Sequence, residues 1–232
     1  MIRRLPVEKM GESNLGWLQS KFHFSFAEYY NEDNMNFGVL RVINDDLIAP
    51  NTGFGTHPHR NMEIITYVVD GYLTHKDSMG NEHTLQRGEV QYMSAGTGVT
   101  HSEYNNHSQE LRILQIWVLP DKSGHTPNYG EYRFQWKDRE NKFLHFVSSK
   151  SGKAPIKINQ DVNFYVIQIE DGKIEKFPVE KDRQAYLVQI EGKSIINEIE
   201  MNTRDGLETI GKDLEIHAIG KSHILIIEMA KG

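Results

Sequence analysis

Residues 53–71 read GFGTHPHRNMEIITYVVDG, and the order of residue types in this stretch decides the fold class. A glycine-rich start leads into His57-Pro-His59, and a run of β-branched and aromatic residues then extends to Asp70-Gly71. Runs of this composition are typical of strands, and an acidic residue followed by glycine is typical of a turn. The stretch therefore predicts a strand that ends where the chain reverses.

Similar runs occur along the whole chain, and together they predict an all-β fold. No long segment has the 3.6-residue period of an amphipathic helix, and strands do not alternate with helices. A β-sandwich or β-barrel is therefore favoured over an α/β fold. The predicted strands are residues 37–43, 63–69, 111–119, 164–169, 185–190 and 224–227.

A weak internal repeat indicates two similar domains in tandem. Residues 67–71 (YVVDG) resemble residues 188–192 (VQIEG), and the two glycines are 121 residues apart, about half the chain. Asp70-Gly71 and Glu191-Gly192 are both predicted to be turns. The segment from residue 120 to 153 is polar and contains several glycines, as expected of a boundary. We predict an N-terminal domain over residues 1–130 and a C-terminal domain over residues 131–232.

The composition excludes several classes of protein and of site. The 232 residues carry a net charge of −6 and contain no cysteine. These features exclude disulfides, thiolate metal sites and cysteine nucleophiles, and they disfavour direct binding of nucleic acid. The start of the chain lacks the apolar stretch of a signal peptide, and no run reaches the ~18 apolar residues of a membrane span. We expect a cytoplasmic, monomeric protein that does not bind membranes.

The chain has eleven histidines, and the arrangement of those in the first half of the sequence indicates a metal site. Residues two apart on a strand project from the same face, so His57 should project with His59, and His101 with Glu103. If the two strands are neighbours inside a barrel, three imidazoles and one carboxylate converge on one cation. That set suits Fe(II), Zn, Cu, Ni or Co. The alternative is that these histidines lie on the surface or are hydrogen-bonded in the core.

Both segments resemble the metal-binding motifs of the cupin superfamily and, more closely, those of the pirin family. Residues 53–71 approximate the first cupin motif with a shortened spacing before His57, and His101 with Asn105 matches the His-x3-Asn of the second. The block SAGTGVTHSEYN at 94–105 is the most specific match. The resemblance is closest to bacterial pirin-like quercetin 2,3-dioxygenases, which implies a bicupin of two jelly-roll-like β-barrel domains.

The resemblance also implies the role of each site residue. His57, His59 and His101 match the family's three histidine ligands, and Glu103 matches its carboxylate ligand. We expect Glu103 to serve as the catalytic base as well. Glu63 occupies the glutamate position of the first cupin motif, but pirins take their carboxylate from the second motif. Glu63 is therefore predicted to be a strand residue beside the site.

Other residues near the motifs or in the second half receive different predictions. The C-terminal domain is predicted to be a degenerate cupin without metal, because no His-x-His stands at the position equivalent to His57. Its histidines His217 and His223 are isolated.

Five further histidines are predicted to be solvated surface residues: His75, His83, His107, His125 and His145. Three apolar residues are candidates for the pocket, with ordinary core packing as the alternative: Phe37, Phe54 and Met93.

The activity implied by the resemblance is cleavage of the heterocycle of quercetin-like flavonols by O2 with release of carbon monoxide. The implied cofactor is one divalent ion, with Fe(II) preferred over Cu, Ni, Co or Zn. Two alternatives stay open. The protein could be a pirin whose metal tunes a surface for a protein partner in transcription, without physiological catalysis. It could also be a cupin oxygenase for a different enolic substrate.

Overall fold

The computed structural model describes residues 1–231 and consists almost entirely of β-strands. These residues form twenty strands and three short 3₁₀ helices, at Val7–Lys9, Glu32–Asn34 and Trp136–Arg139. The all-β class predicted from the sequence is confirmed. Among the described residues, no helix has the length and apolar character needed to cross a membrane.

The chain divides into two compact units whose composition does not strictly follow sequence order. The N-terminal unit comprises residues 11–134 and 158–160. The C-terminal unit comprises residues 1–10, 135–157 and 161–231 of the described chain. The first ten residues therefore belong to the unit that is built mainly from the second half of the sequence.

The N-terminal unit contains a seven-stranded sheet and a four-stranded sheet. The strands are β2 (Gly11–Asn14), β3 (Leu18–Phe22), β4 (Leu40–Ile48), β5 (Thr52–His59), β6 (Glu63–Asp70), β7 (Tyr72–Asp77), β8 (Glu82–Gln86), β9 (Val90–Ser94), β10 (Val99–Asn105), β11 (Leu111–Val118) and β12 (Asn128–Tyr132). The order of the larger sheet is β12-β9-β6-β11-β4-β3-β2, and that of the smaller sheet is β5-β10-β7-β8.

Apolar residues from both sheets form the core of this unit. Strand β6 is buried on both faces over seven consecutive residues, which explains why apolar residues occur at neighbouring positions along it instead of alternating with exposed polar ones. Leu73 and Leu85 from the smaller sheet pack in one cluster with Val68 and Ile113 from the larger sheet. The core therefore lies between the two sheets and fixes the strands that carry the histidines.

Strand β4 is longer than the sequence predicted. It begins at Leu40, where Phe37 forms an isolated bridge, and it continues to Ile48 through Asn44, Asp45 and Asp46. The predicted strand ended at residue 43, before these three polar residues. All three are buried in this structure. They find a place there because β4 lies between two paired strands, β11 and β3.

The C-terminal unit is built on one nine-stranded sheet with the order β1-β19-β17-β20-β15-β13-β14, in which β16 also pairs with β20 and β18 with β17. Its core is a large aliphatic cluster contributed mainly by β15, β17 and β20. The strands are β1 (Ile2–Leu5), β13 (Leu144–Ser149), β14 (Ile156–Ile158), β15 (Val162–Ile169), β16 (Ile174–Phe177), β17 (Arg183–Ile196), β18 (Ile199–Met201), β19 (Gly206–Ile210) and β20 (Leu214–Ala230).

One predicted turn is a bulge. Asp70-Gly71 does separate two strands, but Glu191-Gly192 lies inside β17. The register between β17 and β20 shifts on both sides of Glu191. Gly192 has a φ of +75°, and a Cβ at this position would lie 2.1 Å from the carbonyl oxygen of Lys221. The prediction of a turn was therefore wrong, because a glycine with positive φ serves a bulge as well as a reversal.

Candidate metal centre

Pairing between β5 and β10 brings three histidines together. His57 lies directly opposite His101, and His59 lies opposite Val99. The ring centroids of His57 and His101 are 4.5 Å apart, and His59 lies 4.9 Å from each of the other two rings. One ring nitrogen from each residue falls within 4.8 Å of the others. Three imidazoles can therefore approach a single ion.

Hydrogen bonding and burial leave these imidazoles able to bind a cation. The Nδ1 atom of His57 lies 2.8 Å from the Gly55 carbonyl oxygen, an acceptor, so Nδ1 carries the proton and Nε2 offers its lone pair. Burial, with the neighbouring imidazoles, lowers the pKa of His59 to about 4 and that of His101 to about 3. These rings are therefore neutral near pH 7, as metal binding requires.

His101 provides the test of whether a metal fits. It is 1% exposed, and neither ring nitrogen has a hydrogen-bond partner within residues 1–231. Buried polar atoms are nearly always partnered, so two unpartnered nitrogens on one ring call for a missing group. A metal ion bound among His57, His59 and His101 satisfies one of them directly. The donor set therefore fits the ion that the sequence predicted.

Glu103 lies two residues beyond His101, but a register shift separates them on β10. Its carboxylate is buried and falls into a second group of possible ligands with His101 and His75, again within 4.8 Å. It is not part of the group formed by His57, His59 and His101. The structure thus brings the three predicted histidines together, and it groups Glu103 with His101 and with His75, a histidine that the sequence did not single out. Glu103 also lines the same cavity as His57 and His59.

A row of polar side chains on the larger sheet holds the Glu103 carboxylate. Asn44, Gln115, Thr66 and Gln91 occupy directly paired positions on four neighbouring strands. Gln91 donates from Nε2 to Oε1 of Glu103 at 2.5 Å, and Gln115 donates from Nε2 to Oε2 at 2.6 Å. The Thr66 hydroxyl also lies 3.2 Å from Oε1. Burial raises the pKa of Glu103, although the nearby imidazoles of His75 and His57 and the hydrogen bonds from Thr66 and Gln115 oppose the shift.

His75 is fully buried, so the prediction that it is a solvated surface histidine was wrong. Its Nε2 lies 3.1 Å from Oδ2 of Asp77, its ring stacks on Tyr129 at 4.5 Å, and its Nδ1 has no partner in the described chain. A signal was present in the sequence, because Leu73, His75 and Asp77 alternate along β7 and must share one face. The other four differ in exposure: His83 is exposed, whereas His107, His125 and His145 are half-buried.

Glu63 is buried and belongs to neither of the two ligand groups. Its Oε1 accepts from the Ser94 hydroxyl at 2.7 Å and from Nδ2 of Asn159 at 3.0 Å, and its Oε2 accepts from the backbone N–H of Asn159. The residue therefore ties segment 158–160 to β6 and β9. This is a structural contact, in line with the prediction that Glu63 is a strand residue.

A cavity of about 320 Å³ opens beside His57 and His59. Of the predicted pocket residues, Phe54 lines this cavity, whereas Met93 packs with Ile64 and Val99 in the core and Phe37 is buried. The cavity combines apolar walls with a polar end formed by residues of β3, β4 and β11. The apolar and aromatic lining residues are Leu15, Leu18, Phe22, Phe26, Phe54 and Trp117, and the polar end includes Ser20, Asn44, Asp46 and Gln115.

Sequence reasoning missed the polar end of this cavity. Asp46 is 3% exposed, and burial raises its pKa to about 7, with the Ser20 hydrogen bond opposing the shift and the charges of Asp45 and Glu103 adding to it. The available signal was the polar pair Asn44 and Asp46 inside a strand-like run.

In the C-terminal unit, His223 is buried against Glu191 and His217 lies beside Glu215. Both groups of possible metal ligands found among the described residues lie in the N-terminal unit.

Comparison with known proteins identifies the family. The pirin family profile matches residues 5–118, and the profile of the quercetinase C-terminal cupin domain matches residues 145–229. The chain is 39% identical over 231 residues to a quercetin 2,3-dioxygenase of Escherichia coli K12, covering 99% of both chains. It is 46% identical over 207 residues to a pirin-like protein of Caulobacter vibrioides, covering 89% of both.

Solved structures give the same result. The crystal structure of YhhW from E. coli matches with a TM-score of 0.95 and 38% identity, covering 100% of this chain and 99% of that chain. The structure of the bacterial pirin YhhW in complex with nickel(II) matches with a TM-score of 0.94 at the same identity, with full coverage of both chains. The resemblance inferred from the sequence is thereby confirmed. The chain belongs to the pirin family and consists of two cupin domains.

Proposed function

We propose that this chain is a metal-dependent dioxygenase that opens the heterocycle of quercetin-like flavonols with O2 and releases carbon monoxide. The observation that carries the proposal is the group of three histidines beside a largely apolar cavity, with both nitrogens of His101 buried and without a partner among residues 1–231. Full-length relatives named quercetin 2,3-dioxygenase support this activity.

The chain offers ligands that suit a divalent transition metal. We assign His57, His59, His101 and Glu103 as the residues that would hold it, with Fe(II) as the native ion. Imidazole with carboxylate also suits copper, nickel, cobalt and zinc, and the related YhhW structure contains nickel(II). A bound ion would supply Lewis acidity toward an enolic oxygen and a centre for dioxygen chemistry.

The residues of the chain supply substrate binding and exclusion of water. Phe22, Phe54 and Trp117 present aromatic surface to the cavity, which favours a flat aryl ligand. Trp117 also packs edge-on against His59 at 5.0 Å and limits the positions that this ring can adopt. Substrate and O2 are the partners that this site requires. A cytoplasmic location and a monomeric state stay predictions.

Glu103 is proposed to take up the proton of the substrate hydroxyl. Both of its oxygens accept amide hydrogen bonds, so proton uptake requires the exchange of one bond from Gln91 or Gln115. A Glu103→Gln variant that keeps its metal is expected to lose most of its turnover. Full turnover by metal-loaded Glu103→Gln would contradict the base role.

The activity is tested by reconstituting the protein with Fe(II) without oxygen, adding quercetin, and then admitting O2. Carbon monoxide is expected to form in step with the loss of quercetin. His101→Ala should lose bound metal and carbon monoxide together, because its imidazole belongs to the assigned ligand set. His217→Ala is the matched control, since this half-buried histidine of the C-terminal unit should leave both quantities unchanged.

Other results of the carbon monoxide and metal measurements would contradict either the proposed reaction or the assigned site. Wild-type protein that holds one ion and forms no carbon monoxide would contradict the proposed reaction. A different enolic substrate or a metal-tuned surface for a protein partner would then become the leading function. Undiminished metal in His57→Ala, or metal loss in His217→Ala, would contradict the assigned site.

A further inference from the structure

We propose that Asp46 selects hydroxylated substrates by accepting a hydrogen bond from a substrate hydroxyl at the polar end of the cavity. The inference rests on the proposed function, because it concerns the substrate of the same site. The hydroxyl in question is a second one, distinct from the enolic hydroxyl that faces the histidines. It would lie on the side of the cavity formed by the larger sheet.

The Asp46 carboxylate has one oxygen atom to which no group of the described chain donates a hydrogen bond. Asp46 lines the cavity and is almost fully buried, and its Oδ1 has no hydrogen-bond partner in the part of the chain that the structure describes. The Ser20 hydroxyl is a hydrogen-bond partner of the same carboxylate. A buried carboxylate oxygen without a donor is costly, so an oxygen of this kind in a cavity wall indicates a ligand that brings one.

The alternation of β4 explains why the Asp46 side chain lies on the cavity side of the strand. Residues two apart share a face, so Asn44 and Asp46 both line the cavity while Asp45 projects to the opposite side. There Asp45 accepts two hydrogen bonds from Arg112, at 2.9 and 2.6 Å. The Asp45 carboxylate is therefore neutralised by a partner of its own. The Asp46 carboxylate has no Lys or Arg side chain among the residues that line the cavity with it.

Asn44 adds a second acceptor to the same wall. Its Oδ1 is also buried and, like Oδ1 of Asp46, lacks a partner within residues 1–231. Two acceptors on one strand face suit a ligand with neighbouring hydroxyl donors. They disfavour a ligand carrying a carboxylate, which would bring an unpaired negative charge against Asp46.

Glu103 does not offer the same contact. It lines the cavity too, but Oε1 accepts from Gln91 and Oε2 accepts from Gln115. The two cavity carboxylates therefore differ in function. Glu103 is held in place by the chain, whereas Asp46 keeps an acceptor available. The class of ligand that follows is a flat, neutral aryl compound that carries a second hydroxyl group in addition to its enolic one.

Binding without turnover tests the proposal. The protein is loaded with Fe(II), kept anaerobic at pH 8, and titrated with quercetin or with 3-hydroxyflavone, which has the enolic hydroxyl and no other. This pH lies above the pKa of about 7 of Asp46, so that its carboxyl group is mostly ionised. Dissociation constants are measured by quenching of tryptophan fluorescence. Asp46→Ala should raise the constant for quercetin about 10- to 100-fold, the effect of losing one hydrogen bond to a charged group, and leave that for 3-hydroxyflavone within about twofold.

Two further variants make the result specific. Asp46→Asn keeps the shape and a neutral acceptor, so it should lie between the wild type and Asp46→Ala. Asp70→Asn removes an exposed carboxylate at the end of β6 and should behave as the wild type. Thermal unfolding and metal analysis are recorded for each variant, and the Asp46 variants are expected to keep their metal because Asp46 belongs to neither ligand group.

The outcomes separate this proposal from the proposed function. Unchanged affinity of Asp46→Ala for quercetin, or an equal loss for both flavonols, overturns the role of Asp46. Selective loss for quercetin supports it, even if the wild type forms no carbon monoxide when O2 is admitted, a result that contradicts the dioxygenase alone. Wild-type protein that binds neither flavonol overturns both.

Discussion

Individual atoms of the N-terminal site differ in the partners they have. The two ring nitrogens of His101 and Oδ1 of Asp46 are buried without hydrogen bonds in the described chain, whereas both oxygens of Glu103 are occupied. A buried polar atom without a partner costs ~1–3 kcal/mol. Binding capacity is therefore concentrated at His101 for a cation and at Asp46 for a hydrogen-bond donor.

The hydrogen bond from Gln91 offers a test of whether Glu103 is a metal ligand. Gln91→Leu removes the closer of the two donors to Oε1 and leaves only the Thr66 hydroxyl, so we expect the affinity for the metal ion to fall about 10- to 100-fold, as for other residues that orient ligands. Affinity is measured by competition with a chromophoric chelator. Gln86→Leu, an exposed glutamine on β8, is the control and should have no effect. Wild-type affinity in Gln91→Leu would argue that Glu103 does not bind the ion.

Among the secondary-structure elements, β17 and β20 shape the C-terminal unit. The two strands are 14 and 17 residues long, and they stay paired over this length only because the bulge at Glu191-Gly192 resets their register. Long strands twist and need such interruptions to follow a curved sheet. The backbone at Gly192 therefore determines how the two longest strands of this unit continue.

Replacing Gly192 by alanine should destabilise the C-terminal unit strongly. The added Cβ would meet a backbone carbonyl at 2.1 Å and would also occupy a positive φ, for which we expect a loss of about 3 kcal/mol in the free energy of unfolding. Gly172→Ala has nearly the same φ with open space around it, so its loss should be about 1 kcal/mol. Urea denaturation followed by circular dichroism measures both. Equal losses would show that strain at φ alone, and not the close approach, decides the cost.

Much of the fold and part of the site could be predicted from the sequence because short-range periodicity determines them. The period of two along β5 and β10 located His57, His59 and His101. The partners of Glu103 could not be predicted, since Gln91, Thr66 and Gln115 meet it only through the pairing of separate strands. Asp46 was missed for a related reason: its burial depends on the neighbours of β4.

At the scale of the whole molecule, the path of the chain differs from a simple succession of two halves. Strand β1 pairs with β19, with Ile2 opposite Thr209, and so completes the edge of the sheet in the C-terminal unit. Arg4 on β1 forms an ion pair of 2.7 Å with Asp205, whose side chain is fully buried. The first strand is therefore held by charge as well as by backbone hydrogen bonds.

Arg4→Leu tests how much the C-terminal unit depends on this strand. The change removes the cation facing a buried carboxylate, and we expect the free energy of unfolding to fall by about 2 kcal/mol, less than for a fully buried pair because Arg4 is partly exposed. Arg3→Leu breaks the more exposed pair with Glu208 and should cost only about 0.5 kcal/mol. Chemical denaturation compares the two variants. A larger effect of Arg3→Leu would contradict this account, and metal content should be unchanged in both.

The pairing of β1 with β19 has a consequence for folding during synthesis. At ~5–20 residues per second, a ribosome needs roughly 10 to 40 s to reach Thr209 after it has made Ile2. During that interval β1 is an unpaired strand carried by the nascent chain, and its eventual contact has a very large sequence separation, which slows folding. The pirin-type N-terminal unit can form most of its contacts long before the C-terminal unit closes its edge. Chaperones should therefore be needed mainly while the sheet of the C-terminal unit, which is completed last, is still forming. The sheets that carry the histidines should be complete before then.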